Sequence, residues 1–459
     1  MSGPNPLHHT DLIFTNATIE LKTALTELKR SNLSITNRLH SIARDATFTA
    51  SIASAFKLPL LANERCGSWY ILPASKAGSA YFKSTDGHHG EWSFSLRRLN
   101  LQVLDVVGEN GGCIIVDSTR RGKSMSDALA KTIPIWISVL NRVALPEQRQ
   151  CHELETPESV VSGSEHAQIE DRIPAFVSAL AGLNLDIPTV QEKLGGRPLQ
   201  PIWVTPSTNL VAAVEAVDEA CHPVVLCTAS SRDSENLHHV TNYVQGAADD
   251  AESWALGLDA ATFWQNSEEL LSASEDQLPG LIGRLVAERQ VQQGVVRQPT
   301  LVRPTSQVWI ANTAVTNADC SGFDVVIRCD SHITDALATP SKERYIHLVC
   351  STGKVGSRQL RTELTKLERL SELLRPESKI LVACQTGKDI SVGVTLAVIC
   401  RFCDDSGKLL AQQNQTSIGD QQALTKAVIK RRLSWIMISM PDASPSRATL
   451  QSVNAFLLG

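Results

Sequence analysis

Apolar and polar positions along this chain follow two periods. Residues 36–57 carry their apolar side chains at helical spacing, and residues 17–30, "ATIELKTALTELKR", do the same. The period then shortens. "SWYILPA", "SAYFKS", "EWSFS" and "GGCIIVDS" alternate or run apolar between Gly, Asp and Asn turn residues, which predicts strands. "MSDALAKTIPIWISVLNRVAL" returns to the helical pattern, with Pro134 marking a kink or a new start. Residues 145–172 are polar, acidic and aperiodic, and read as a surface excursion.

Two apolar runs, "PIWVTPS" from 201 and "PVVLCTASS" from 223, end in small polar residues with helical stretches around them. Such runs suggest parallel strands, whose carboxyl ends are where open α/β sheets bind ligands. The Pro, Gln and Arg content of residues 292–307 reads as a linker. A second unit follows: "VWIAN", "FDVVIRCD", "RYIHLVC", the helical "SRQLRTELTKLERLSELLR", the strand "KILVAC" and closing helices. The expected fold class is α/β. An N-terminal α/β domain with a mixed sheet spans 1–298, and a C-terminal phosphatase-like α/β domain, a central sheet flanked by helices, spans 299–459.

Composition narrows the classes. The 459 residues are 42% hydrophobic and 20% charged, an ordinary globular balance with no apolar run long enough for a membrane span. The opening "MSGPNPLHHTDLIF" lacks a basic region followed by an apolar stretch, so a cytoplasmic or nuclear location is expected, with the cytoplasm preferred. A net charge of -5 argues against indiscriminate nucleic-acid binding but leaves room for basic residues gathered on one face. The local basic clusters are "RRLN" at 97, "RRGK" at 120 and "KRRL" at 430; each taken alone reads as a solvated face. "CRFC", Cys400 to Cys403, is the lone Cys-x2-Cys, and no second ligand pair has suitable spacing for zinc.

Chemistry concentrates in four stretches. In "LVACQTGKDIS" a strand runs into Cys384 and a tight turn before a helix, the corner at which cysteine-dependent phosphatases carry Cys-x5-Arg. Here the arginine position holds Ile390. Backbone N–H groups over Gln385, Thr386, Gly387, Lys388, Asp389 and Ser391 would hold a phosphate at a helix N-terminus, without the charge that phosphoryl transfer needs. In "GGCIIVDSTRRGKS" the end resembles a P-loop, but Asp117 stands at the first glycine position. Phosphoribosyltransferases bind their donor in a loop of this general order. Asp117 would meet ribose or Mg2+, and Arg120, Arg121 and Lys123 the phosphates. "YFKSTDGHHGEW" gathers Lys83, Asp86 and His88 in one turn, where Asp86 or His88 could serve as general base. "QGAADDAESW" places Asp249, Asp250 and Glu252 near a helix start, where Asp249 and Asp250 could bind metal or simply suit the helix dipole.

Together, "NERCGSWYI" at 63, "AYFKSTDGH" at 80, "WSFSLRRLNL" at 92, "IIVDSTRRGK" at 114, "DALAKTIPIW" at 127, "QGAADDAESWA" at 245, "CQTGKDISVGV" at 384 and "PSRATLQSVNAFL" at 445 resemble the initiator-tRNA 2′-O-ribosylphosphate transferases. The resemblance implies a pentosyltransferase. It would move a 5-phosphoribosyl group from phosphoribosyl pyrophosphate to the ribose 2′-hydroxyl of adenosine 64 of initiator tRNA, keeping that tRNA out of elongation. It also implies a C-terminal domain like the dual-specificity phosphatases. Initiator tRNA and phosphoribosyl pyrophosphate are the expected partners, with no obligate protein partner and no membrane; Mg2+ is inferred from pyrophosphate chemistry. The competing classes are a phosphatase-like hydrolase of a phosphate ester and a non-catalytic tRNA-binding protein.

Overall fold

The computed structural model describes residues 33–84, 90–120, 122–183, 185–231, 242–292, 298–314, 320–331, 344–351, 353–410 and 424–459. The helix predicted over 17–30 lies outside them, as do Asp86, His88 and Arg121. Among the described residues no helix is long and apolar enough to cross a membrane.

Helix α1 (Ile35–Phe56) leads into β1 (Leu60–Asn63) and β2 (Lys76–Ala80). Helix α2 (Gln102–Asn110), β3 (Cys113–Asp117) and helix α3 (Ile133–Ala144) follow. One short helix (Leu210–Glu215) separates β4 (Leu199–Val204) from β5 (His222–Thr228), and α4 (Leu278–Gln292) closes this half. The strand order is β2-β1-β3-β5-β4, and every pairing is parallel. The expected mixed sheet is thus a wholly parallel one. Both faces are covered, so β3 and β5 are buried at every position. Leu61, Ile115 and Leu226 pack with Val103, Leu104 and Val107 of α2 and with α3. Leu60, Ile114, Val116 and Val225 pack with Leu39, Ile42 and Ile52 of α1 and Leu278, Ile282 and Leu285 of α4.

Three of the predicted strands differ. Only Ser79 and Ala80 of "SAYFKS" lie in β2. "SWYILPA" opens instead in "GSWY", a 3-10 turn, Gly67–Tyr70, whose Trp69 and Tyr70 are buried under α1. "EWSFS" alternates exposed and half-buried side chains as a strand would, but it pairs with no sheet. Its aromatic rings lie instead on the excursion that follows α3: Trp92 Nε1 donates to Glu165 Oε1 at 2.9 Å, and Phe94 stacks on Phe176. Pro134 sits in the first turn of α3, after a π-helical turn over Ala128–Thr132, so it starts a helix rather than kinking one.

The second sheet comprises β6 (Thr300–Leu301), β7 (Val308–Asn312), β8 (Val325–Asp330), β9 (Tyr345–Val349) and β10 (Ile380–Cys384), in the order β6-β7-β10-β8-β9. Only the edge strand β6 is antiparallel. Helices α5 (Gly353–Glu363), α6 (Ile390–Phe402), α7 (Lys426–Ser439) and α8 (Arg447–Leu457) complete this domain, with α6 buried along nearly its whole length.

Candidate active site between the two domains

In the first sheet the chain turns from β1 to β2 on one side and to β3 on the other, so the carboxyl ends of β1 and β3 flank a topological switch point. Open α/β sheets bind ligands in that crevice. The residues leaving β1 are Asn63, Glu64, Arg65 and Cys66; the residue ending β3 is Asp117.

Asp117 is fully buried. Its Oδ1 accepts from Arg65 Nη2 at 3.0 Å, Cys66 Sγ at 3.1 Å and its neighbour's Ser118 N–H at 2.8 Å. Its Oδ2 accepts from Asn63 Nδ2 at 3.1 Å, Arg65 Nε at 3.3 Å and Ser126 Oγ at 2.9 Å. The carboxylate is saturated by its own chain, which makes it the anchor of Arg65 and gives it no lone pair to spare for a ribose hydroxyl or a metal. Asp249 is the second anchor. Its Oδ1 lies 3.2 Å from Arg65 Nη2 and accepts from Cys66 Sγ at 3.3 Å. Arg65 also donates to the Ser118 carbonyl.

The charges follow this geometry. Burial works against the Arg65 cation, but Asp117 and Asp249 outweigh it and hold the guanidinium firmly charged. Burial, and then the Asp117 charge, push the Cys66 thiol well up, so it stays protonated, with its single S–H shared between the two carboxylates. Burial also raises Asp249, against the pull of Arg65.

The segment carrying Asp249 is pressed onto the Asp117 loop. Gln245 Nε2 donates to the Lys123 carbonyl at 2.8 Å, and Gly122 N–H donates to Gln245 Oε1 at 3.2 Å. Ser230 Oγ, beyond β5, donates to the Thr119 carbonyl at 3.0 Å. Two of the stretches singled out by sequence therefore form one unit. Asp249 and Asp250 do not form a metal pair: Asp249 turns to Arg65, while Asp250 turns outward to Arg38 at 3.1 Å. Among the described residues no group of three or more His, Cys, Asp or Glu side chains is arranged to hold a metal ion. Arg120 is exposed, and Lys123 is half-buried beside Gln245.

Arg65 is one wall of a cavity of about 860 Å3 that lies between the domains. Lys83, Arg97, Arg98, Tyr81 and Trp136 line it from the N-terminal domain; Lys430, Leu433, Met437, Pro445 and Leu450 line it from the C-terminal domain. Lys83 is thus the one described member of its predicted turn, and it lies at this cavity. Arg98 ties the halves together. It stacks over the Tyr81 ring at 4.6 Å and donates to the Ala443 carbonyl at 3.1 Å.

Cys384 ends β10, as predicted, but is buried, and its Sγ donates to Ser391 Oγ at 3.1 Å. Ile390, at the position of the missing arginine, is buried too. Within the loop Gly387 N–H donates to the Cys384 carbonyl at 3.0 Å, and Lys388 N–H donates to Thr386 Oγ1 at 3.2 Å. Gln385 and Thr386 are exposed. Further contacts of this loop run to the connection between α7 and α8 and to the first turn of α8. Lys388 Nζ meets Asp442 at 3.3 Å, the Lys388 carbonyl accepts from Ser444 N–H at 2.8 Å, and Asp389 Oδ1 accepts from Ser446 N–H at 2.8 Å and Thr449 Oγ1 at 2.6 Å. That connection presents Ala443 to Arg98 and Pro445 to the cavity. Cys384→Ser is therefore expected to retain most of the protein's activity on its substrates. No covalent thiophosphate adduct should appear by mass spectrometry; a trapped adduct would make Cys384 a nucleophile.

Sequence reasoning missed Arg65, Cys66 and Asn63. They stood in the quoted "NERCGSWYI" without a role, because a charged residue after a short strand has no signature of its own until its partners on β3 are in place.

A family model described as the Rit1 N-terminal domain matches residues 28–287, and one described as the Rit1 DUSP-like domain matches residues 344–457. The chain is 33% identical over 488 aligned positions to the tRNA A64-2′-O-ribosylphosphate transferase of Saccharomyces cerevisiae, covering 94% of each chain. It is 35% identical over 437 residues to an uncharacterized protein of Schizosaccharomyces pombe, covering 92% of this chain and 94% of that one.

Proposed function

The chain belongs to the Rit1 family, and from that premise and the site geometry we propose that it transfers a 5-phosphoribosyl group from phosphoribosyl pyrophosphate to the ribose 2′-hydroxyl of adenosine 64 of initiator tRNA. The relative's name supplies the nucleotide and the group transferred; the resemblance noted above supplies the donor and the initiator tRNA. One structural observation carries the chemistry. "NERC", "IIVDSTRRGK" and "QGAADD" converge on a single guanidinium, fixed by the buried Asp117 and by the half-buried Asp249 and facing a cavity lined by further cations.

In the reaction the 2′-oxygen attacks C1 of the donor. The bond from C1 to the diphosphate oxygen breaks, the bond from C1 to the 2′-oxygen forms, and the hydroxyl proton is released. Negative charge accumulates on the leaving diphosphate. Arg65 is suited to meet it, because a pre-oriented guanidinium needs no reorganisation as the charge develops. Asp117 and Asp249 act through Arg65, as positioning residues. Mg2+, expected from pyrophosphate chemistry, would enter with the donor's diphosphate, since Asp249 and Asp250 do not make a site for it. The T stem is A-form RNA, so its recognition would rest on shape, 2′-hydroxyls and phosphates. The eleven cysteines are all free, which suits the reducing cytoplasm expected for this reaction.

The direct test incubates the full chain with initiator tRNA and donor labelled in its ribose, then maps the label by nuclease digestion. Label at nucleotide 64 is the expected result. No incorporation, with release of inorganic phosphate from an ester substrate, would support the hydrolase instead; tight tRNA binding without incorporation would support a binding protein. No feature of the Cys384 loop favours the hydrolase.

A further inference from the structure

The cavity between the domains holds a set of charges that the family assignment does not explain. Lys83, Arg97 and Lys430 all line it, and none has a carboxylate partner among the described residues. Arg98 lines it as well, and Arg65 adds a guanidinium paired with Asp117 and Asp249. The acidic side chain in the lining is Glu64, and it is already engaged by Lys76, Ser68 and Ser79. A chain of net charge -5 thus gathers cations from both its domains around one cleft. Like charges brought together in this way repel unless a polyanion is bound among them.

We propose that this cavity is the donor site, and that it is shared. The phosphates of a phosphoribosyl diphosphate would lie among Arg65, Lys83, Arg97 and Lys430, with the last contributed by the C-terminal domain. This rests on the transfer reaction proposed above and says where its small substrate binds. At about 860 Å3 the space falls within the roughly 300–1,000 Å3 usual for small-molecule sites. A ribose bearing a monophosphate and a diphosphate is small enough to enter it. The walls also carry Tyr81, Phe82 and Trp136, apolar surface that keeps water from a reactive C1. The C-terminal domain then has a role that needs no phosphatase chemistry. Its Cys384 loop holds the connection between α7 and α8, that connection receives Arg98, and α7 brings Lys430 to the cavity.

Lys430 is exposed on the surface of α7, so its replacement does not threaten the fold. Lys430→Ala and Arg97→Ala would be made in the full chain. Three quantities are read: donor KM at saturating tRNA, tRNA Kd with its salt dependence, and the Kd of inorganic pyrophosphate by calorimetry without tRNA. One charge-assisted contact to phosphate corresponds to roughly a ten- to hundredfold change in affinity. Donor KM and pyrophosphate Kd should therefore each rise at least tenfold, with tRNA Kd within about twofold. Unchanged donor KM and pyrophosphate Kd would overturn the shared site while leaving the transfer reaction standing. So would a weaker tRNA affinity with a shallower salt slope, which would make these residues an RNA clamp. A wild-type protein that transfers nothing, yet binds pyrophosphate through Lys430, would retain the anion site and discard the reaction.

Discussion

Arg65→Lys should lower transfer, measured as kcat/KM for the donor, by on the order of 100-fold or more while the protein stays folded. The substitution keeps one positive charge beside Asp117 and Asp249, so neither carboxylate is left buried alone. Removing the charge altogether, as in Arg65→Ala, would cost about 3–5 kcal/mol of stability and confuse the reading. A lysine cannot reproduce the fork. Arg65 now reaches both oxygens of Asp117, Asp249 and the Ser118 carbonyl from one planar group, and that bonding fixes the direction of its face toward the cavity. Asp117→Asn distinguishes the two roles open to the carboxylate. If Asp117 acts only by holding Arg65, the double variant should transfer no worse than the worse single variant, because both changes remove one unit. If Asp117 itself touched donor ribose or metal, the two losses would multiply. Arg65→Lys with donor kinetics near those of the wild type would take Arg65 out of the site.

Much of the fold could be read from local pattern. β3, β5 and β10 are fully buried strands, and continuous apolar runs ending in Asp117, Thr228 and Cys384 announce them. "EWSFS" shows where pattern misleads. Alternating burial arises from any extended segment lying on an apolar surface; a strand also needs a ladder partner, which no local pattern specifies. "GSWY" misleads in another way, since buried aromatic residues report burial and leave the backbone conformation open.

The site was legible in its parts and illegible in its assembly. Asp117 stood out because an acid closing an apolar strand is unusual, but its saturation by Asn63, Arg65, Cys66 and Ser126 depends on parallel pairing of β1 with β3. Asp249 and Asp250 are neighbours in sequence and point to different partners, a choice made by the turn that carries them. The basic clusters at 97 and 430 each read as a solvated face. Only the docking of α7 beside the Arg98 segment turns them into the walls of one cavity. Charge that is ordinary on an isolated surface becomes a recognition device when two domains bring it together.

Gly246→Ala should be the most damaging single-methyl change at the site. Gly246 has φ +65° and lies against the Asp117 loop; an added Cβ would stand 2.3 Å from the Thr119 carbonyl oxygen and 2.9 Å from Arg120 Cα. Both neighbours are backbone, so no side-chain rotation relieves the clash. The left-handed conformation costs roughly 1–2 kcal/mol for alanine, and the overpacking about 1–3 kcal/mol more. At a few degrees per kcal/mol, Tm should drop by roughly 5–10 °C. Transfer should fall further than the folded fraction does. The same turn carries Gln245, which clamps the loop at Gly122 and Lys123, and Asp249, which anchors Arg65. Pushing the turn away from Thr119 displaces both. Gly111→Ala is the control. It has φ +76° at the end of α2 and nothing within 4 Å of the new Cβ, so it bears the conformational cost alone. Its Tm should fall by only a few degrees, with donor KM and kcat unchanged. If Gly246→Ala matched Gly111→Ala in both melting and kinetics, the contact between the Asp249 turn and the Asp117 loop would have no part in holding Arg65.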